Sequence, residues 1–450
     1  MFLIEEAYFK KRLEQRITRI RDFVQQPRRW ILPWYFGYGL LGIISNGMLP
    51  VLLPLMVADY SHHLGWVGLV AGAFSMGSLS SIILGKLADR YHLHKRIYYG
   101  GLLVLLATCA VISLLAKLWF WMILSFAAGA SIAAVSTVAT LFVVEFNPQK
   151  EWEPRIGWLQ TFYGAGQVVG LMLAGLFVAN IGMGFFVSAL LLLPAIWLGA
   201  KGIPAVKSSD FPISSILEKH PKMRDFHLLG SFGKLEKQSN PIHYPIQTLW
   251  NEIKKIGNLA NSLFGRFLFS WFMLSFGIAA FFAYFPVVLR KSYNIPPTIT
   301  SLAYGVSAGV SITLYIFGAK LAAKYGSGRV YRWGLIMRLI GFAIIFIIFF
   351  LPIPKIYFAL AGFVCIVIAW PLISISATDL TARLSPSGEG TAMGLFNATA
   401  GIATVAGSFF SGPLIQFGGD ASLSGVAIIG ISVAWIFARG LDRKEIIKGR

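Results

Sequence analysis

The feature that most constrains this chain is a succession of long apolar runs separated by short basic turns. A helix needs about 20 mostly apolar residues to cross the hydrocarbon core of a bilayer. Measured that way, runs fall near 31–57, 64–84, 97–116, 119–144, 157–180 and 183–200, and after a polar stretch near 266–289, 299–318, 333–351, 356–378, 392–417 and 421–438. Of 450 residues, 56% are hydrophobic and 13% charged. A soluble chain of this length cannot cover itself with so few charges, whereas in lipid apolar side chains face outward without cost. The expectation is an all-α integral membrane protein with twelve transmembrane helices.

The charge distribution gives the orientation. The net charge is +20, which in a soluble domain would point to nucleic acid. Here 34 of the 39 Lys and Arg fall in alternate segments that share the side of the N-terminus, and 4 fall on the other side. Arg338 is the exception, lying within a run. The positive-inside rule therefore puts both termini in the cytoplasm, as an even helix count requires, and nucleic-acid binding is not expected. The first 30 residues are charged throughout and lack the pattern of a signal peptide. Cys109 and Cys365 both sit in apolar runs, so no disulfide framework or metal site is expected.

Five segments follow. Residues 1–30 read as a basic amphipathic helix on the inner leaflet, with Phe9, Leu13, Ile17, Ile20 and Val24 at helical spacing among basic residues. Residues 31–200 and 263–438 are two six-helix bundles. The stretch 201–262, with Pro204, Pro212, Pro221, Pro241 and Pro245, is a cytoplasmic linker, in which Ile246, Leu249, Trp250, Ile253 and Ile256 are spaced for a short interfacial helix. Residues 439–450 form a cytoplasmic tail.

The two bundles repeat one another at a nearly constant offset. Residues 86–91 (KLADRY) align with 320–325 (KLAAKY), and Glu145 aligns with Asp379. Pro50 to Leu53 align with Pro286 to Leu289, and Gly157, Gly164, Gly170 and Gly175 with Gly394, Gly401, Gly407 and Gly412. Because both halves hold six helices, the repeats run in the same direction. Such halves are related by a pseudo-twofold axis along the membrane normal, an architecture of secondary transporters.

Gly85-Lys86-Leu87-Ala88-Asp89-Arg90-Tyr91, followed by Lys95-Arg96, resembles the signature loop of the major facilitator superfamily, in its place between the second and third helices. Gly85 permits close approach of a neighbouring helix end, and Asp89 is suited to face a helix N-terminus. The resemblance implies a conformational latch in which Asp89 meets the eleventh helix and Arg90 pairs with Glu145. Ala323 replaces the acid in the second half, so one complete latch is expected. Gly164 to Gly170 partly resembles the glycine-rich motif of the family's drug exporters, although Gln167 stands in place of its proline and Leu171 in place of a glycine. Spacing of this kind also serves helix packing. Met48-Leu49-Pro50 is exporter-like as well, and Ser125 stands where many proton-coupled members carry arginine.

In this family the first, fourth, seventh and tenth helices line a central cavity. That places Tyr38, Asn46, Trp271, Tyr284 and Trp370 as candidate cavity-lining residues, flanked by Gln160, Gln167 and Asn397 from helices five and eleven. The set is aromatic and neutral-polar, and suits an uncharged or amphiphilic organic molecule. None of the 19 acids lies near the middle of a run. That opposes simple proton coupling, which the family favours; Asp59 and Asp379, at opposite ends of their runs, are the candidate titrating groups. Arg338 is expected to snorkel to the nearer surface. No catalytic constellation is visible. The resemblance implies a monomeric multi-pass transporter of the cell membrane, binding a small-molecule substrate and the lipid bilayer, without cofactor or nucleic acid. Two directions stay open, export of an amphiphilic compound and uptake of a sugar or other metabolite, with a non-transporting membrane receptor as the third reading.

Overall fold

The computed structural model describes residues 31–61, 63–80, 93–114, 117–147, 151–203, 262–384 and 389–441. The amphipathic segment 1–30, nearly all of the 201–262 linker and most of the C-terminal tail lie outside them. The described residues form helices α1 (Pro33–Tyr60), α2 (Gly65–Ser78), α3 (His94–Val111), α4 (Leu118–Phe146), α5 (Trp152–Phe177) and α6 (Ile181–Gly202) in the first half. The second half contains α7 (Leu263–Phe282), followed by a short helix Phe285–Tyr293, then α8 (Pro297–Tyr325), α9 (Ser327–Phe350), α10 (Lys355–Leu384), α11 (Glu389–Gly418) and α12 (Ala421–Ala438).

Among the described residues, eight continuous helices are long and apolar enough to cross a membrane, and nine with α8, which bends by 44°. One of these, Arg155–Gly202, contains two crossings. Along α1, Gly39 meets Phe162 and Gly47 meets Gly170, so α5 runs parallel to α1. Gly202 meets Trp34 and Ser188 meets Met48, so α6 runs back again. The reversal occurs at Val178–Asn180, where the Asn180 side chain caps α6 by accepting from the Met183 amide at 3.1 Å. The described parts of α2 and α3 span 14 and 18 residues and complete the set of twelve.

The duplication read from the sequence is visible in the packing. In the first half α1 packs on α5 and α6, α4 on α2 and α3, and α3 on α6; in the second, α7 packs on α11 and α12, α10 on α8 and α9, and α9 on α12. Adding six to each number converts one list into the other. The interface between halves obeys the same rule, since α2 packs on α11 and α5 on α8.

Glycine makes the central pairs possible. A side-chain carbon on Gly170 would strike the Ile43 carbonyl of α1, and one on Gly407 would strike the Phe276 carbonyl of α7. These are contacts of the same kind between corresponding helix pairs, set one turn apart. Gly166 and Gly170 of the fifth run are thereby accounted for as helix packing, by the Gly39 and Ile43 carbonyls they admit.

Three proline-directed breaks shape the interior. Pro50 has no N–H and its ring crowds the carbonyl four residues back, and α1 answers by widening into a π-helical turn over Ile43–Met48, where the Leu49 amide reaches the Ile44 carbonyl. Pro286 opens the short helix that follows α7. α10 breaks at Ala369, just before Trp370-Pro371.

Candidate functional site

The two faces of the bundle differ. One carries the α1–α2 and α7–α8 connections, and the other carries the start of α1 and the end of α12. Across the first, here called the turn face, the halves are tied by polar contacts. The Tyr284 hydroxyl donates to the Leu64 carbonyl at 2.6 Å and accepts from the Gly68 amide at 2.9 Å. Arg290 pairs with Asp59, joining the helix after α7 to the end of α1. Thr298 donates to the Gly175 carbonyl at 3.0 Å, joining α8 to α5. Nearer mid-span, the Ser75 and Ser408 hydroxyls approach to 3.4 Å.

In the first half the π turn of α1 presents Asn46 as an exposed amide. Met48, two residues on, points the opposite way and takes the Ser188 hydroxyl of the outer helix α6 at 3.3 Å. Asn46 therefore faces away from α6, toward the region between the halves. Earlier on the same helix Tyr38, 2% exposed, packs tilted against Tyr163 with ring centroids 5.0 Å apart. The Tyr163 hydroxyl lies 2.7 Å from that of Ser45, and the Gln160 side chain lies near the Tyr38 hydroxyl. Two sequence candidates, Tyr38 and Gln160, are thus brought together, and Ser45 and Tyr163 join them. Both lay in runs read as lipid-spanning, and only the α1–α5 approach makes them neighbours. Gln167 is half-buried on α5.

In the second half the interior is aromatic. Trp271 of α7 stacks on Phe396 of α11 at 4.4 Å and on Trp370 of α10 at 6.1 Å. Trp271 and Phe396 are buried, whereas Trp370 is 39% exposed and Asn397, next to Phe396, is exposed.

Several expectations are revised. Tyr284 does not line a cavity: it is fully buried, and its hydroxyl is committed at the turn face. Arg338 does not snorkel. α9 begins at Ser327, eleven residues before it, so the guanidinium starts about 17 Å from the helix end. It is 4% exposed, its Nε donates to the Ile366 carbonyl at 3.2 Å, and it lies over Trp370 with 5.3 Å from Cζ to the ring centroid. The break in α10 frees that carbonyl, and the arginine satisfies it.

Of the candidate titrating groups, Asp59 is engaged by Arg290. Asp379 takes Arg383 at 2.7 Å and the Ser327 hydroxyl at the start of α9. Asp379 is the repeat counterpart of Glu145, so in the second half the acid closing the fourth helix of the repeat is held by its own helix and by α9. The latch residues Gly85, Asp89 and Arg90 lie outside the described residues; Glu145 falls in α4, with its side chain outside them.

The sequence profile of the Major Facilitator Superfamily matches residues 35–408. The chain belongs to that superfamily. A relative from Enterobacter sp. (strain 638), described as an uncharacterized MFS-type transporter, is 26% identical over 135 residues, which is 30% of this chain and 35% of that protein. Among solved structures, the nucleoside transporter NupG superposes with a TM-score of 0.64 at 15% identity, covering 91% of this chain and 96% of that one. A bacterial homolog of the human lysosomal transporter Spinster, inward-facing and occupied, gives 0.64 at 14% identity, covering 93% and 97%. A D-xylose–proton symporter gives 0.62 at 14%, covering 91% and 97%. At these identities the likeness establishes the superfamily fold, and the named solutes belong to those proteins. This superfamily member is a transporter and not an enzyme.

Proposed function

We propose that this transporter exports a small amphiphilic organic solute by alternating access, through the region between α1 and α5 on one side and α7, α10 and α11 on the other. The observation that carries this reading is the chemistry exposed there. The first half offers the amides of Asn46 and Gln160, and the second the indole of Trp370 and the amide of Asn397. An amide exposed to lipid in mid-span forgoes hydrogen bonds that water or a solute supplies, so its place is a wet interior. Amides opposite an indole accommodate a molecule that is part apolar and part polar.

The basic residues put the face bearing the termini in the cytoplasm of the cell membrane. The turn face, tied by Tyr284, Arg290 and Thr298, is then the outer one. Export is assigned on the exporter-like Met48-Leu49-Pro50, which coincides with the π turn presenting Asn46. Proton coupling, if present, works through groups at the helix ends, with Asp59 and Asp379 as its candidates.

The test is transport by the purified protein in liposomes against a panel of amphiphilic compounds, with and without a pH gradient, beside expression in a drug-sensitive strain. Saturable movement of a panel compound together with raised resistance supports the proposal. Unchanged resistance with growth dependent on an external sugar or metabolite replaces export by uptake.

A further inference from the structure

Arg338 occupies an unusual electrostatic position. It lies at the middle of α9, 4% exposed, in a region where an unpaired charge is costly. Each acid whose side chain is described is engaged elsewhere: Asp59 by Arg290, Glu151 by Arg155, Asp379 by Arg383 and Asp420 by Lys291. Only part of the guanidinium fork is used. Nε satisfies the carbonyl freed at the α10 break, while one terminal nitrogen is buried with no hydrogen-bond partner. The ring beneath it, Trp370, is the one member of the Trp271–Trp370–Phe396 aromatic column with substantial exposure. A buried unmet donor costs free energy, and on a charged group that cost is larger than on a neutral one.

We propose that the solute is an organic anion with an aromatic body, and that Arg338 recognises its charge. The inference rests on the transport reading above and narrows its substrate class. The ring of the solute packs against the exposed part of Trp370, and its carboxylate meets the idle guanidinium nitrogen, supplying a counter-charge that none of the described acids supplies. The break at Ala369 lies between the Ile366 carbonyl and Trp370, so a small change of angle there moves ring and carbonyl relative to Arg338. A planar oxyanion fits an arginine fork better than a lysine point charge.

The experiment compares 2-naphthoate with its neutral isostere 2-naphthamide, by tryptophan fluorescence titration of the full-length protein in detergent, in wild type, Arg338→Gln and Arg338→Lys. Wild type is expected to bind the carboxylate roughly ten- to a hundredfold more tightly than the amide, the range of a charge-assisted hydrogen bond. Arg338→Gln is expected to bring that ratio close to one, and Arg338→Lys to leave it intermediate. Should Arg338→Gln fail to fold, the wild-type ratio and its reduction in Arg338→Lys decide the matter. A wild-type ratio near one, or a ratio unchanged by the substitutions, overturns the assignment of Arg338 while leaving transport of a neutral amphiphile intact. Absence of binding by both probes overturns the aromatic-solute reading as well.

Discussion

Tyr284 on the α7 side and Gly68 at the start of α2 are joined across the two halves by a 2.9 Å hydrogen bond from the Gly68 amide to the Tyr284 hydroxyl. The same hydroxyl donates to the Leu64 carbonyl at 2.6 Å, so one fully buried side chain serves the first turn of α2 twice. In a regular helix the Gly68 amide would meet the Leu64 carbonyl four residues back, and the hydroxyl from the opposite repeat bonds to both members of that pair. Opening the turn face requires breaking both bonds.

Tyr284→Phe removes both bonds and takes this partner from the buried Gly68 amide, at a cost on the order of 1–3 kcal/mol, while the Leu64 carbonyl keeps the Val67 amide at 3.0 Å. The expected outcome is a shift toward the turn-face-open conformer. Distance distributions between spin labels on the α1–α2 turn and the α7–α8 connection should gain a longer component. An unchanged distribution would remove Tyr284 from the closure.

The Asp59–Arg290 pair joins the same two halves, but its side chains are 47% and 36% exposed. Exposed pairs contribute about 0–1 kcal/mol. Asp59→Asn should therefore shift the same distances less than Tyr284→Phe, and less still at high salt. A larger shift for Asp59→Asn would reverse this ranking of the two contacts.

Gly170→Ala and Gly407→Ala each force a methyl against a backbone carbonyl of the neighbouring central helix, which cannot rotate away as a side chain can. Both should lower thermal stability in detergent, by about 1–3 kcal/mol where unfolding is reversible. Gly164→Ala meets nothing within 4 Å and serves as the control, expected to be neutral or mildly stabilising. Equal behaviour of the three would mean that the glycines do not set the helix spacing.

Asn46→Leu and Gln160→Leu each remove one amide from the interior. Each should raise the apparent KM of a transported amphiphile about three- to tenfold, the worth of one neutral hydrogen bond, at unchanged expression. KM values equal to wild type in both would move the solute away from α1 and α5.

Much of the fold was legible because membrane helices announce themselves. Twelve apolar runs and the glycine spacing repeated between α5 and α11 foretold the i to i+6 packing, since the interior faces of both halves obey the same steric rule. The proximity of Tyr38 to Gln160 follows from their placement on neighbouring helices. What failed were judgements of depth. Arg338 reads as near the surface if α9 begins where the apolar run does, but the helix starts six residues earlier, and the residue is buried at its middle. Trp370-Pro371 held a usable signal, because a proline inside a long apolar run marks where a helix breaks and neighbouring carbonyls look for other donors. Tyr284 reads as a cavity aromatic until the α2 start is seen beside it, a relation between residues 216 apart that no local pattern carries.

The central claim is that two copies of one bundle exchange access between the faces of the membrane. Spin-label pairs on the turn face and on the terminal face, recorded in the same liposome preparation with and without a transported amphiphile, test it most directly. The account predicts that the solute changes the two distances in opposite senses, one lengthening as the other shortens. Distances that lengthen or shorten together, or that stay fixed while solute crosses, would contradict it.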